Sequence, residues 1–261
     1  MNTGVKKREI LAMLLITVAS TGCFNDVPTQ TESYATLEQL MVVEDSETPA
    51  QELPPADSDT PEASTDPYVD WQTYANENYQ ISIRFPPLWF GPDVYEVDNE
   101  VRIAIGSDTV YPYGTDRTEQ TYTVKDSYTI TIQYKKNPGY QTLEEYSQAQ
   151  PWLDTYMSLL NLKDGESISD ARALVKRVGE VEAGEFRGLE YIATLSETAQ
   201  TEPFFARQTI LFDEHLNVLV VMGSPNNVDI LAGGNWREAY QNVDQENLPT
   251  YEKVLEFIIV E

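Results

Sequence analysis

Three short stretches of the chain alternate between apolar and polar residues, and this alternation constrains the fold more than any other feature of the sequence. The stretches are Ile81–Phe85, Val101–Ile105 and Tyr128–Tyr134. Successive side chains of a β-strand point to opposite faces of the sheet, so a period of two residues is typical of a half-buried strand. In the third stretch, Thr129 and Thr131 are expected on the outer face, and β-branched residues favour strands. The alternation therefore predicts that all three stretches are strands.

Helix signals follow these strands. Thr142 and Glu145 have the spacing of a capping box, which predicts that a helix begins just after Thr142. Pro151 then interrupts or restarts the helix, because proline is tolerated only in the first helical turn. Apolar residues at helical spacing come next, and we expect them to pack on a sheet rather than bind a cofactor. They are Trp152, Leu153, Tyr156, Met157 and Leu160.

Strand signals return in the last third of the sequence. Candidate strands cover Phe186–Leu195, Phe204–Phe212 and Val218–Met222. The short segment Asp213–Asn217 joins the last two strands, which predicts a β-hairpin.

A final helix is predicted after this hairpin, because four apolar residues there have helical spacing, with Thr250 before them as a candidate N-cap. The four residues are Tyr251, Val254, Leu255 and Ile258. Runs of strands with helices between and after them are typical of α+β domains. The sequence therefore predicts an α+β sandwich built on a mostly antiparallel sheet.

Residues 24–68 differ in composition from the residues that follow. They contain six prolines, many Ser, Thr, Asp and Glu residues, and no Lys or Arg. Such a segment buries too little apolar surface to offset the entropy lost on ordering it. We therefore expect an acidic, disordered linker over 23–68 and a single globular domain over 69–261.

The first residues have the pattern of an export signal. Lys6–Arg8 form a basic cluster, and Ile10–Val18 form an apolar run. This run is too short to span a bilayer, which needs roughly 20 apolar residues. It has the length of the apolar core of a cleaved secretory signal.

Cys23, the only cysteine in the 261 residues, follows a short run of small residues. This arrangement resembles the lipobox of bacterial lipoproteins, in which the cysteine sulfur receives a diacylglycerol and cleavage falls just before it. The resemblance implies that residues 1–22 are a signal peptide, cleaved between Gly22 and Cys23. The lipid on Cys23 would then anchor the protein to the extracytoplasmic face of the cell membrane. The alternative is a free cysteine in an ordinary signal peptide, discarded on cleavage.

The segment Tyr74–Trp89 resembles the opening hairpin of PsbP-like domains, which has the approximate form Y-x-N-x-x-Y-G-F-S-x-x-Y-P-x-x-W. A short strand turns at Asn76–Asn78, an alternating strand follows, proline ends it, and Trp89 packs back underneath. Gln80 replaces the usual glycine, and Ser107–Thr123 looks like an insertion. The resemblance implies an α/β/α sandwich with a central antiparallel sheet. Family members near photosystem II are extrinsic, non-catalytic assembly or stabilising subunits, and no binding residue transfers to this chain.

The formal net charge is −26, of which residues 24–68 carry −11 and residues 69–261 carry −17. Phosphate binding needs a basic surface, so this composition argues against nucleic-acid binding. Direct adhesion to anionic lipid headgroups is disfavoured for the same reason. Two interpretations of the charge stay open: a solubilising surface, or a surface that attracts cations or a basic partner.

The sequence offers few candidates for catalysis or metal binding. His215, the only histidine, lies in the predicted hairpin turn beside Asp213 and Glu214. A zinc site usually needs three or four converging ligands, so an exposed turn residue is the favoured interpretation. Ser224 lies in Gly-Ser-Pro, which lacks the Gly-x-Ser-x-Gly spacing of a nucleophile elbow.

Phosphate-binding and calcium-binding motifs are not found in the sequence either. Ala232–Trp236 lacks the lysine and the spacing of a P-loop and is typical of a flexible turn. Asp57, Asp59 and Asp66 do not match the spacing of a calcium loop. We therefore predict no catalytic, cofactor-binding or metal-binding residue.

Two structural roles are open for the aromatic residues Tyr111, Tyr113, Trp236 and Tyr240: they either line a binding groove or belong to the core.

Three hypotheses about function follow from the sequence. The leading hypothesis is a membrane-tethered, non-catalytic binding or assembly module with a protein partner. The alternatives are a receptor for a small ligand or cation, and a hydrolase that uses two carboxylates.

Overall fold

The structure, a computed structural model, describes residues 67–169, 173–195, 203–230 and 234–261. The predicted signal peptide, the cleavage position at Gly22, the lipidated Cys23 and nearly all of the linker over 23–68 lie outside the described residues. The lipidation and the domain boundaries therefore stay predictions.

The described residues form two β-sheets with helices packed against them. In chain order the strands are β1 (Gln72–Asn76), β2 (Ile81–Phe85), β3 (Phe90–Val97), β4 (Glu100–Gly106), β5 (Ser127–Lys135), β6 (Ser167–Ser169), β7 (Ala173–Ala183), β8 (Phe186–Leu195), β9 (Phe204–Phe212), β10 (Val218–Asn226) and β11 (Ile259–Val260). The helices are α1 (Leu143–Ala149), α2 (Asp154–Leu159) and α3 (Trp236–Glu256), with 3-10 turns at Arg117–Glu119 and Pro151–Leu153.

The larger sheet has eight strands in the order β3-β4-β5-β10-β9-β8-β7-β6. Every neighbouring pair in it is antiparallel. The smaller sheet has the order β1-β2-β11 and is also antiparallel.

The predicted strands are all present. β2, β8 and β9 have the predicted bounds, and β4 and β5 extend one residue further at each end. The predicted hairpin joins β9 to β10, and β10 continues to Asn226 because its second half pairs with β5. Pattern analysis missed β3, β6, β7 and β11. The strands β6 and β11 are only three and two residues long. The residues of β3 and β7 are mostly exposed or only partly buried, and their charged side chains interrupt the apolar alternation.

The predicted start of α1 is confirmed, with one change in detail. Thr142 Oγ1 accepts a hydrogen bond from the backbone N–H of Glu145 at 3.1 Å. The Glu145 carboxylate accepts from the N–H of Gln141 at 2.9 Å, one residue before the position that a capping box uses. Pro151 begins a 3-10 turn that leads directly into α2, as its missing N–H requires.

The prediction that Thr250 caps the last helix is wrong. α3 begins at Trp236, where Asn235 Oδ1 accepts from the N–H of Arg237 at 3.2 Å, and Thr250 lies inside the helix. Pro249 deprives one helical carbonyl of its donor, yet the helix continues through it. Buried side chains on both sides of Pro249, such as Tyr240 and Tyr251, hold the two halves on the same sheet.

Two apolar cores cover opposite faces of the large sheet. On one face, β4, β5 and part of β10 pack against β2 and α3. On the other face, β7, β8 and β9 pack against α1 and α2. Leu153 and Tyr156 lie in this second core as expected, but Leu160 is exposed. The three layers confirm the predicted α+β class and the α/β/α sandwich with a central antiparallel sheet.

None of the helices in the described part of the chain combines the length and the apolarity needed to cross a bilayer.

Candidate functional site

His215 has the exposed position that the sequence predicts. It lies in the turn between β9 and β10, where its backbone N–H donates to Asp213 Oδ1 at 2.9 Å. The imidazole Nε2 of His215 lies 3.4 Å from Glu214 Oε1. Asp213 also accepts from the N–H of Asn217 at 2.8 Å. These contacts shape the hairpin turn. Within the described residues, no group of three or more His, Cys, Asp or Glu side chains is placed to hold a metal ion.

The four aromatic residues proposed as a groove belong to two different parts of the fold. Tyr111 packs against Tyr122 in the connection between β4 and β5. Trp236 and Tyr240 pack edge to face in the first turns of α3, with ring centroids 5.9 Å apart, and Tyr240 is nearly buried. Tyr240 therefore has the core role that was one of the two alternatives.

A buried ionic cluster lies between the large sheet and α3. Arg207 on β9 contacts both oxygens of Asp244 on α3: Nε lies 3.1 Å from Oδ1 and Nη2 lies 2.6 Å from Oδ2. The remaining guanidinium nitrogen, Nη1, donates to Glu190 on β8. The exposed fraction of Asp244 is 0% and that of Arg207 is 2%, so water has no access to this pair. Sequence analysis missed all three residues, although a charged residue within an apolar strand is itself a signal of a buried partner.

Hydroxyl groups complete the cluster. Tyr128 on β5 donates to Asp244 Oδ1 at 2.9 Å, and Tyr251 on α3 donates to the carbonyl of Val221 at 3.0 Å. Thr209 Oγ1 lies 2.8 Å from the Tyr251 hydroxyl and 3.5 Å from Glu190 Oε2. Each polar side chain of this cluster thus has a partner, as burial in an apolar layer requires.

The cluster holds two carboxylates and one guanidinium, so it carries one excess negative charge when both acids are ionised. Burial raises the pKa of Glu190 above its ordinary value, and the positive charge of Arg207 offsets part of that rise. Burial likewise raises the pKa of Tyr128, and the neighbouring Asp244 adds to the rise. Since α3 seals these groups from solvent, we assign them to holding the helix on the sheet rather than to chemistry on a substrate.

An open, polar depression lies at the tip of the β3–β4 hairpin and is lined by Tyr79, Glu96, Asp98 and Lys136, among others. The Glu96 carboxylate accepts from the side-chain amides of Asn76 at 2.7 Å and Asn78 at 3.3 Å. Both Glu96 oxygens therefore join β3 to the β1–β2 turn.

One end of the large sheet carries the longest connection in the described part of the chain. Phe90, Gly106, Thr129 and Ser224 form one row across β3, β4, β5 and β10. Beyond this row lie the turn 86–89, the loop 107–126 and the segment 227–230. We call this region the loop end of the sheet. Long connections in compact domains are usually either functional or linker segments.

The loop 107–126 is anchored at both of its ends by Asp108. This carboxylate is 3% exposed and accepts from the backbone N–H groups of Thr109, Thr123 and Val124 at 2.7, 2.5 and 2.7 Å. Burial alone would raise the pKa of Asp108, but these hydrogen bonds outweigh it and hold the pKa below its ordinary value. The loop is therefore closed on itself by a buried ionised acid.

Further contacts fix the interior of the loop. The Tyr111 hydroxyl accepts from the N–H of Thr121 at 2.7 Å and donates to the carbonyl of the same residue. Asp116 Oδ1 accepts from the N–H of Thr118 at 2.8 Å. The Tyr113 ring stacks on the guanidinium of Arg102, which lies 3.9 Å from the ring centroid. A loop with these contacts is pre-organised, and a pre-organised loop loses less conformational entropy on binding than a flexible one does.

Apolar side chains are exposed around this loop. Leu88 is 88% exposed and Phe90 is 51% exposed, while Val124 and Ile230 are exposed at the same end. Leu88 is held at the tip of a turn closed by the N–H of Trp89, which donates to the carbonyl of Pro86 at 3.1 Å. Trp89 packs back against the first core, as predicted.

No protein-family model matches the chain, and no curated protein matches it. Among solved structures, the chain is similar to the solution structure of cyanobacterial PsbP (CyanoP) from Synechocystis sp. PCC 6803, with 11% sequence identity. The similarity covers 76% of this chain and 97% of that chain, at a TM-score of 0.36. CyanoP bears the name of the family that Tyr74–Trp89 resembles, but a similarity this low does not assign the chain to that family. Membership stays a prediction, and the fold class rests on the described strands and helices.

Proposed function

We propose that this protein is a lipid-anchored, extracytoplasmic binding module that acts on a protein partner without catalysing a reaction. The observation that carries the proposal is the contrast between the two polar regions of the domain. Arg207, Glu190 and Asp244 are sealed beneath α3 and serve the fold. The solvent-facing loop 107–126 is pre-organised and bordered by exposed apolar residues, which is an arrangement suited to binding.

The sequence supports the location. The export pattern and the small residues before Cys23 support lipidation of that cysteine and cleavage after Gly22. Two acyl chains hold a protein on a membrane stably, whereas a single chain does not. The resemblance of Tyr74–Trp89 to PsbP-like domains supports an extrinsic assembly role.

In-cell crosslinking followed by affinity recovery from native membranes tests this proposal, with Cys23→Ser as the untethered control. We expect one defined protein partner whose recovery falls when the anchor is lost. The anchor is tested separately by a carbonate wash, which should release the Cys23→Ser protein and leave the wild-type protein in the membrane. Recovery of no partner from either protein would contradict the binding function. A Cys23→Ser protein that stays bound after the wash would contradict the lipid anchor.

A further inference from the structure

The geometry points to the loop end of the sheet as the docking surface, and we propose that its occupant is a membrane-associated protein with an apolar contact site ringed by Lys and Arg. This inference rests on the proposed function and names the surface and the partner chemistry. The surface consists of four exposed apolar side chains at the loop end, which we call the apolar patch. They are Leu88, Phe90, Val124 and Ile230.

The hydrogen-bonding pattern places the patch residues at one end of four neighbouring strands. Phe90 pairs with Gly106 in the row that continues to Thr129 and Ser224. Val124 lies just beyond that row, because its N–H donates to Asp108 and its carbonyl accepts from Asn227 at 3.1 Å.

The segment that carries Ile230 is held to the same loop. The N–H of Asp229 donates to Asp126 Oδ1 at 3.1 Å, and Lys125 pairs with the Asp229 carboxylate. Single exposed apolar residues are common on protein surfaces, so the case for a docking surface rests on these four residues lying at one end of the sheet together with the charge around them.

The charged residues around the apolar patch indicate which class of partner can bind there. The segments 86–93, 107–126 and 226–230 together carry six carboxylates and two basic side chains, and all of the carboxylates except the buried Asp108 are at least partly exposed. These carboxylates form a negative rim around the apolar patch. A second copy of this chain would place an identical negative rim against the first, and the two would repel each other. An anionic bilayer would also repel the rim. An apolar site bordered by Lys and Arg matches both the patch and its rim.

The start of the domain lies beside the patch. Gln72, at the beginning of β1, donates from Nε2 to the carbonyls of Pro86 at 3.3 Å and Pro87 at 3.0 Å. The chain from Cys23 therefore joins the domain next to Leu88. The number of residues between Cys23 and Gln72 limits how far the domain can lie from its anchor, because a fully extended chain reaches at most about 3.3–3.6 Å per residue. A partner that occupies the patch while Cys23 is anchored lies within that reach of the membrane, so we expect a membrane protein or a protein bound to one.

Site-specific photocrosslinking of the full-length protein in native membranes tests the surface. A photoreactive phenylalanine analogue is placed at position 88 or 90, with position 178 as the control, because Val178 is also exposed but lies on β7 in the other half of the sheet. We expect one protein adduct from positions 88 and 90 and at least tenfold less of it from position 178. Mass spectrometry of the adduct should locate the crosslink at an apolar site flanked by Lys or Arg.

A charge-neutralising variant tests the rim without removing hydrogen-bond acceptors. The test variant is Asp116→Asn, Glu119→Gln and Asp126→Asn, and the control is Glu77→Gln, Glu185→Gln and Glu246→Gln, all six positions being exposed. Both variants lose three negative charges, so any effect of net charge is the same in each. We expect the crosslink yield at position 88 to fall at least fivefold in the test variant and to stay within twofold of wild type in the control.

Several results would overturn the inference. Crosslinks from position 88 to lipid, or to a second copy of the chain, would show that the occupant is of another class. An equal yield from positions 88 and 178, or an equal loss in the two charge variants, would show that the loop end is not the surface. If affinity recovery finds a partner that position 88 does not capture, this inference fails and the proposed function stands.

Discussion

Arg207 and Asp244 form a bidentate ion pair beneath α3, although they lie 37 residues apart in the sequence. The pair joins β9 to the middle of the helix, and the Tyr128 hydroxyl adds a hydrogen bond from β5. Breaking a buried pair by removing one partner leaves an uncompensated charge, which is more costly than the net value of the pair itself.

We predict that Asp244→Ala lowers the free energy of unfolding by about 3–5 kcal/mol, because Arg207 and the Tyr128 hydroxyl both lose their acceptor. Urea denaturation followed by circular dichroism measures the change. The matched control is Glu182→Ala, which removes one partner of an exposed pair with Arg187 at 3.3 Å and should leave stability nearly unchanged. Equal effects of the two substitutions would mean that the buried pair does not hold α3.

Glu190 should make stability depend on pH in an unusual direction. Its folded-state pKa is raised above the ordinary 4.5, mainly by burial, so the folded protein binds the proton more tightly than the unfolded chain does. The contribution of Glu190 to stability is therefore present in full below the unfolded pKa and is lost as pH rises through the folded pKa.

Glu190→Gln removes this titration while keeping an oxygen that can accept from Arg207. We predict that wild-type stability minus variant stability decreases from acidic to neutral pH, with the variant equal to or more stable than wild type at neutral pH. Thermal unfolding of both proteins at a series of pH values measures this difference. The other carboxylates titrate in both proteins, so their contributions cancel in the difference. A difference that increases with pH would show that Glu190 is a stabilising carboxylate with a lowered pKa.

Gly223 on β10 leaves open the space that the Tyr128 side chain occupies. A Cβ atom at position 223 would overlap the hydroxyl end of the Tyr128 ring, which reaches over the glycine toward Asp244. We predict that Gly223→Ala lowers the free energy of unfolding by about 1–3 kcal/mol, the usual cost of overpacking. The control is Gly179→Ala on β7, where the added carbon would lie 3.8 Å from its nearest neighbour, an ordinary contact. Comparable losses in urea denaturation would indicate a backbone effect instead of this overlap.

Local patterns predicted the strands well because burial on one face repeats every two residues within a single segment, as in Tyr128–Tyr134. The buried cluster could not be found in this way, because Arg207 meets Glu190 and Asp244 across 17 and 37 residues of chain. Arg207 in the middle of an apolar strand indicates that a buried partner exists, but only the topology identifies it.

The last helix shows that tertiary packing can override a local sequence signal. Apolar spacing predicted only the second half of α3, with Thr250 as its N-cap, whereas one helix runs from Trp236 to Glu256 with Pro249 inside it, although proline usually ends a helix. Packing on both sides of the proline overrides this local preference. The sequence indicated an insertion over Ser107–Thr123 but not that the loop is ordered, because its order depends on Asp108 accepting from Thr123 and Val124, 15 and 16 residues away.

Asp108→Ala should loosen this loop while leaving the two cores intact. The substitution leaves three backbone N–H groups without their acceptor, and an unsatisfied buried donor costs about 1–3 kcal/mol. We predict that hydrogen exchange accelerates strongly at the N–H groups of Thr123 and Val124, with no comparable change in β8 or β9. Asp116→Ala is the control, because Asp116 is exposed and caps only the local turn at Thr118. Since the pKa of Asp108 is lowered in the folded protein, its contribution to stability is present above the ordinary carboxyl pKa of 3.8 and is lost as pH falls through the lower folded-state pKa. Unchanged exchange at Thr123 and Val124 in Asp108→Ala would show that Asp108 does not order the loop. The argument that the loop end is a pre-organised binding surface would then lose its main support.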